Sequence, residues 1–265
     1  MLNPQYLWCF ELFYLIGIGL KPGHLTVEAK QAIESCSKIF FETYTSGYCE
    51  GSLPELEKLT GKKFIELKRQ GVEEGFELIL KEAKQEDIAL LVFGNALNAT
   101  THIQLLLDAK EAGVKAKAIA GLSVFDFLAK TGLDSYRFGR VCTVVFPKEN
   151  YTPESFYEII ERNYSIGLHT LCLLDIDREN ETMMTVSEAL GILEKIEKAR
   201  QKNLIQEAVL IGLYGIGGEK EKIKAGHFHE LKRSSYAAFP QSLIVAGKLN
   251  EKEKEALKEL ADFNG

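Results

Sequence analysis

The chain has 265 residues, 46% hydrophobic and 26% charged, which suits a folded globular protein of one large domain or two compact ones. Its net charge of −6 gives no electrostatic reason to bind nucleic acid, and no apolar run or leader pattern predicts a membrane partner. Cys9, Cys36, Cys49, Cys142 and Cys172 are odd in number and never form a CxxC pair. They argue against a disulfide framework or a metal site and predict a reducing, cytoplasmic compartment.

Residues 1–11 read as an N-terminal extension, or as a translation start placed too early. "LFYLIGIGL" (12–20) predicts a buried strand ending in glycines, followed by a Thr26-capped helix with apolar residues at helical spacing. "KIFFETYTS" predicts a second strand, "SLPELEKLTGKK" a short helix and "FIELKR" a third strand. "VEEGFELILKEAKQED" predicts a helix with Phe76, Ile79, Leu80 and Ala83 on one face. "IALLVFG" is the next strand, and "GNALNATTHIQLLL" (94–107) leads from it into a helix that ends at Gly113, either as a loop that offers backbone N–H groups to a ligand or as an ordinary turn with Asn98 or Thr100 as N-cap. "VKAKAIAG" closes the series. Such alternation predicts a parallel, doubly wound α/β sheet.

The grammar changes after residue 120. Segments 140–146, 169–176, 207–216 and 241–249 predict strands separated by longer stretches, including a helix over 186–200. A domain boundary is expected near Gly121, separating an N-terminal α/β domain (12–120) from a C-terminal α/β domain (121–265). The charge-rich stretches "EKIEKARQKN" and "NEKEKEALKEL" read as solvated helix faces.

The glycines at 17, 19 and 23 miss the dinucleotide-binding spacing by one residue, and Pro22 disfavours a tight strand-to-helix turn. No phosphate-cradling G-x-x-x-x-G-K-[ST] occurs. Glu42, at the end of the second strand, could bind a ribose or accept a proton. His102 could accept a proton, cap a helix or fill a core position, and His169 could simply begin a strand. Tyr44, Thr45 and Ser46 could close a turn or line the opening for a substrate.

"LFYLIGIGL", "ETYTS", "GNALNATTH", "GLDSYRFGR", "GLHTLCLLDI" and "LIVAGKL", in this order, resemble the successive motifs of the diphthine synthases. These enzymes share a class of S-adenosyl-L-methionine methyltransferases with the tetrapyrrole methylases. The resemblance implies two α/β domains, the second with a mixed sheet, a homodimer, and a cofactor held in the cleft between domains. It also implies methyl transfer to the amine of a 3-amino-3-carboxypropyl-histidine on translation elongation factor 2, the protein partner. By resemblance the cofactor is lined by Leu20, Asn95, Asn98, Ser123 and Val124, and in the second domain by Leu174, Ile216 and Gln241. Periodicity alone would assign Leu20, Val124, Leu174 and Ile216 to the core.

A sulfonium donor is already activated, so the chemistry asks for alignment and exclusion of water more than for a nucleophile. No catalytic base is named. The chain departs from the family's Gly-Asp-Pro with Gly94, Asn95 and Ala96, from its Ala-Arg-Ala-Gly with residues 214–217, and from its Pro-Pro-His with Phe239, Pro240 and Gln241. A working methyltransferase, a catalytically silent relative that binds cofactor or a protein partner, and a methylase of another small molecule all remain open at this stage.

Overall fold

A computed structural model describes residues 12–73, 75–149, 151–177 and 182–264. The expected extension over residues 1–11, with Cys9, lies outside the described residues. One compact unit ends at Ser123 and a second begins at Val124.

The first unit runs β1 (Leu12–Gly17), α1 (Val27–Ser35), β2 (Lys38–Glu42), α2 (Leu53–Thr60), β3 (Ile65–Leu67), α3 (Arg69–Glu73), α4 (Phe76–Glu82), β4 (Ile88–Val92), α5 (Ile103–Glu111) and β5 (Lys115–Ile119). Its strands pair in the order β3-β2-β4-β1-β5, all parallel. Successive strand residues point to opposite faces. Phe13, Leu15, Phe40, Ile88, Leu90 and Val92 therefore pack with Phe76, Ile79, Leu80 and Ala83 of the α4 stretch and Leu105 and Ala109 of α5. Ile16, Ile39, Phe41, Ala89 and Leu91 pack on the other face with Ala29, Ala32 and Ile33 of α1 and Leu56 of α2. Burial of both faces explains why these strands read as unbroken apolar runs.

The helices differ in how they start. At α1 the Thr26 hydroxyl accepts from Ala29 N–H at 3.1 Å, as the sequence predicts. At α5 the N-cap is His102, without a side-chain cap bond, and neither Asn98 nor Thr100 takes that place. Local composition marks the right loop but cannot show that Thr100 bonds back to Ala96 O and Asn98 across to Ser123.

The second unit opens on a 3-10 helix (Val124–Thr131). It continues with β6 (Cys142–Val144), α6 (Ser155–Ser165), β7 (Thr170–Leu174), a small ribbon of β8 (Ile176–Asp177) and β9 (Thr182–Met183), α7 (Val186–Arg200) and α8 (Leu204–Glu207). Then follow β10 (Leu210–Tyr214), β11 (Lys222–Gly226), α9 (Phe228–Arg233), β12 (Gln241–Val245) and α10 (Glu251–Leu260). The main sheet has the order β11-β10-β12-β7-β6, with β6 and β7 parallel and the other pairs antiparallel, so it is mixed. Helices α6, α7 and α9 cover one face, and the 3-10 helix and α10 contribute to the core on the other.

The two charge-rich helices correct the sequence reading. Glu197 in α7 and Glu253 in α10 are each only 2% exposed. The Glu197 carboxylate accepts from the Tyr157 hydroxyl at 2.9 Å and from Ile205 N–H at 2.7 Å. Among the described residues no helix is long and apolar enough to cross a membrane.

Candidate functional site

Strands β1 and β4 are neighbours, yet the chain leaves β1 for α1 on one face of the sheet and leaves β4 for α5 on the other. Such a switch point opens a crevice at the carboxyl ends of the strands, where ligands bind in open parallel sheets. The loops bordering it are held main chain to main chain. Gly19 N–H donates to Gly94 O at 3.1 Å and Gly94 N–H returns to Gly19 O at 2.9 Å, with both residues left-handed at φ +76° and +69°. A Cβ on Gly17 would lie 2.6 Å from both Gly121 N and Gly94 O, and one on Gly121 would collide with the backbone of Gly94 and Gly17. The loops after β1, β4 and β5 thus meet where no side chain would fit. The sequence signal is a glycine at or just after each of these three strands, of which Gly121 by itself marks only a domain boundary.

Four of the expected cofactor positions fall on this rim. Leu20 is 7% exposed, and its carbonyl accepts from Cys49 N–H at 2.9 Å. Asn95 is half-buried, and its Oδ1 accepts from Leu97 N–H at 3.1 Å while its carbonyl accepts from Asn98 N–H at 3.1 Å. Asn98 Nδ2 donates to Oγ of the buried Ser123 at 3.1 Å, joining the loop after β4 to the one after β5. Ala99 adopts φ +56°, a strained conformation for a residue with a Cβ.

Glu42 is fully buried, and its carboxylate accepts from Tyr44 and Thr45 N–H at 3.3 Å each and from the Thr45 hydroxyl. It folds the loop after β2, which accounts for the residue without a ribose. His102 is also buried, between Ala96 O and the Tyr44 hydroxyl.

In the second unit, Leu174 ends β7, Ile216 follows β10 and Gln241 begins β12. Tyr214 pairs with Gln241 and Ser242 with Leu173, so all three positions gather at one end of the three inner strands of the mixed sheet. Leu174 and Ile216 are 8% and 6% exposed. Gln241 Oε1 accepts from Val186 N–H at 2.9 Å, and its Nε2 donates to Tyr236 O at 2.9 Å and Ala238 O at 3.3 Å. Both amide hydrogens are thereby committed to the protein, leaving carbon surface and one lone pair for any ligand. Val124 packs against the core that contains Leu128 and Leu257.

His169, just before the other end of β7, is fully buried and sits in a polar latch. Its Nδ1 accepts from Gly247 N–H at 3.1 Å and its Nε2 lies 3.0 Å from Glu253 Oε1. That pattern requires a neutral ring with the hydrogen on Nε2. Burial pushes the His169 pKa below 6.5 against the upward pull of Glu253. For Glu253 burial acts upward, but N–H donation from Asn250, His169 and Asp134 outweighs it and holds the carboxyl below 4.5. Arg137 completes the latch by pairing with Glu253.

The family model of the tetrapyrrole (corrin/porphyrin) methylases matches residues 12–232. The diphthine synthase of Methanosphaera stadtmanae is 36% identical over 96% of this chain and 97% of its own length. That of Methanocaldococcus jannaschii is 34% identical over 95% of this chain and 99% of its own. The chain belongs to the tetrapyrrole methylase family, among the diphthine synthases. A crystal structure of a diphthine synthase superposes with a TM-score of 0.85 at 30% identity, covering 95% of this chain and 96% of that one. The chain is accordingly a methyltransferase enzyme, placed by its relatives in diphthamide biosynthesis.

Proposed function

We propose that this enzyme transfers methyl groups from S-adenosyl-L-methionine to the amine of the 3-amino-3-carboxypropyl-histidine of translation elongation factor 2. The observation that carries this reading is the switch-point crevice in a chain alike to diphthine synthases over nearly its whole length. In the first unit the lining falls to Leu20, Asn95, Asn98 and Ser123; in the second it falls to Val124, Leu174, Ile216 and Gln241. The proposal extends to a homodimer working in the cytoplasm, with neither nucleic acid nor membrane as a direct partner.

The residues present fit the cofactor. Glycine main chain packed on glycine main chain leaves a rim of small, uncharged groups, where Asn95, Asn98 and Ser123 offer amide and hydroxyl contacts beside the apolar Leu20. When bound, S-adenosyl-L-methionine supplies a methyl group already activated on a sulfonium. The protein's share is to hold and orient the two reactants and to exclude water, tasks that need no charged nucleophile. Glu42 is occupied in folding its own loop, so no general base is assigned.

Mass spectrometry tests the reading. Elongation factor 2 carrying the carboxypropyl-histidine, incubated with this enzyme and methyl-labelled cofactor, should gain labelled methyl groups at that histidine. Binding of S-adenosylhomocysteine without any methylation would identify a silent relative instead. No binding at millimolar concentration would overturn the cofactor itself.

A further inference from the structure

We propose that His102 is a positioning residue, which holds the loop after β4 in its ligand-accepting form by tying it to Tyr44 on the loop after β2. The inference rests on the crevice being the cofactor site.

His102 occupies the N-cap of α5 yet caps nothing with its side chain, and it is 2% exposed. Its Nδ1 lies 3.3 Å from Ala96 O, and its Nε2 lies 3.3 Å from the Tyr44 hydroxyl. A carbonyl can only accept, so Nδ1 carries the hydrogen and, in the neutral ring, Nε2 accepts from Tyr44. No aliphatic side chain can do both. The two rings meet edge to face with centroids 6.3 Å apart.

Each end of the tie is itself secured. Ala96 O also accepts from the Thr100 hydroxyl, whose oxygen accepts from His102 N–H at 3.3 Å. Tyr44 is oriented by its N–H bond to buried Glu42, and the Arg69 guanidinium lies 5.9 Å above its ring. The contacts therefore run from the ends of β2 and β3 to the residue beside Asn95. The loop they hold contains the strained Ala99, so its form needs support from outside itself. A histidine serving only the core would have no reason to join two strand-end loops. His102 acts through Ala96 rather than on a reacting atom.

The test measures the Kd of S-adenosylhomocysteine by calorimetry, together with Tm, for the parent, Tyr44→Phe, His102→Leu, His102→Gln and the double variant Tyr44→Phe/His102→Leu. Loss of one hydrogen bond in Tyr44→Phe should raise Kd about five-fold with Tm within about 2 °C of the parent. His102→Leu should raise it about ten-fold, and His102→Gln, which keeps a donor and an acceptor, should return it to within about two-fold of the parent. Adding Tyr44→Phe to His102→Leu should cost nothing more, because the tie is already cut. Parental affinity in Tyr44→Phe would overturn the proposal, as would effects that multiply in the double variant. Should His102→Leu fail to fold, Tyr44→Phe alone still decides. A parent that does not bind S-adenosylhomocysteine defeats the cofactor reading, whereas a parent that binds and variants that bind alike defeat only the tie.

Discussion

The crevice of the first unit and the latch of the second solve the same problem, fixing distant segments together, by opposite means. Around the crevice, Gly17, Gly19, Gly94 and Gly121 bring main chain against main chain, and Asn95, Asn98 and Ser123 beside them are small and uncharged. In the latch, Glu253 gathers Arg137, His169 and the N–H groups of Asp134 and Asn250, so buried charge does the joining. The difference teaches where each device belongs. A buried charge holds strongly but consumes its own hydrogen-bonding capacity, whereas close backbone contact leaves neighbouring side chains available to a ligand.

The comparison is broken most severely at Glu253. Glu253→Ala leaves Arg137 and His169 without their carboxylate and should destabilise the protein by about 3–5 kcal/mol, measured by urea unfolding. In protein that remains folded, the Kd for S-adenosylhomocysteine should stay at the parental value. A large change in Kd with little loss of stability would give the latch a ligand role.

Next in size is Gly17→Ala, whose new methyl group meets backbone on two sides. Overpacking of this kind should cost about 1–3 kcal/mol, and here the S-adenosylhomocysteine Kd should rise at least about ten-fold. Unaltered affinity would separate the glycine contact from ligand binding.

The latch also predicts a pH response. His169 has a folded pKa below 6.5, so as pH falls below 6.5 the unfolded chain takes up a proton that the fold refuses, and stability declines. Glu253, with a folded pKa below 4.5, extends the loss below that pH until its own folded value is passed. Thermal unfolding between pH 6.5 and 5 should therefore show a shallower slope in His169→Gln than in the parent, although the variant is less stable throughout. Equal slopes would detach His169 from the acid response.

The smallest effect sharpens the crevice side. Asn95→Asp preserves the acceptor for Leu97 N–H and adds charge, and should tighten S-adenosyl-L-methionine by about 1 kcal/mol. Asn95→Ala should weaken it by a similar amount, about 1 kcal/mol, so calorimetry reads opposite signs. Parental affinity in Asn95→Ala would remove this side chain from the site.

Much of the fold was legible because it rests on local rules. The Thr26 cap, the bounds of α7 and the two-sided burial of β1 and β4 all follow from patterns within a dozen residues. What escaped depended on partners distant in sequence. Glu253 looks like a solvated helix charge until Arg137 and His169, 116 and 84 residues away, are brought to it. Glu197 is hidden for the same reason, with Tyr157 on another helix. At the site, the glycine and asparagine motif identified the loop, but the internal bonding of Asn95, the commitment of Gln241 and the N-cap at His102 are facts of three-dimensional neighbourhood.

The interior place of β1 in its sheet has a consequence for synthesis. It is the first strand of the described chain to leave the ribosome, yet its two neighbours are β4 and β5, with Gly17 held against Gly94 and Gly121. Until β4 has been made the apolar strand has neither flank covered, and until the polypeptide has grown beyond residue 121 its second flank stays open and the loops of the crevice cannot all close. The first unit thus cannot complete its sheet in chain order: the first of its strands to be made waits for the last, exposed to chaperones or to wrong pairing throughout that interval.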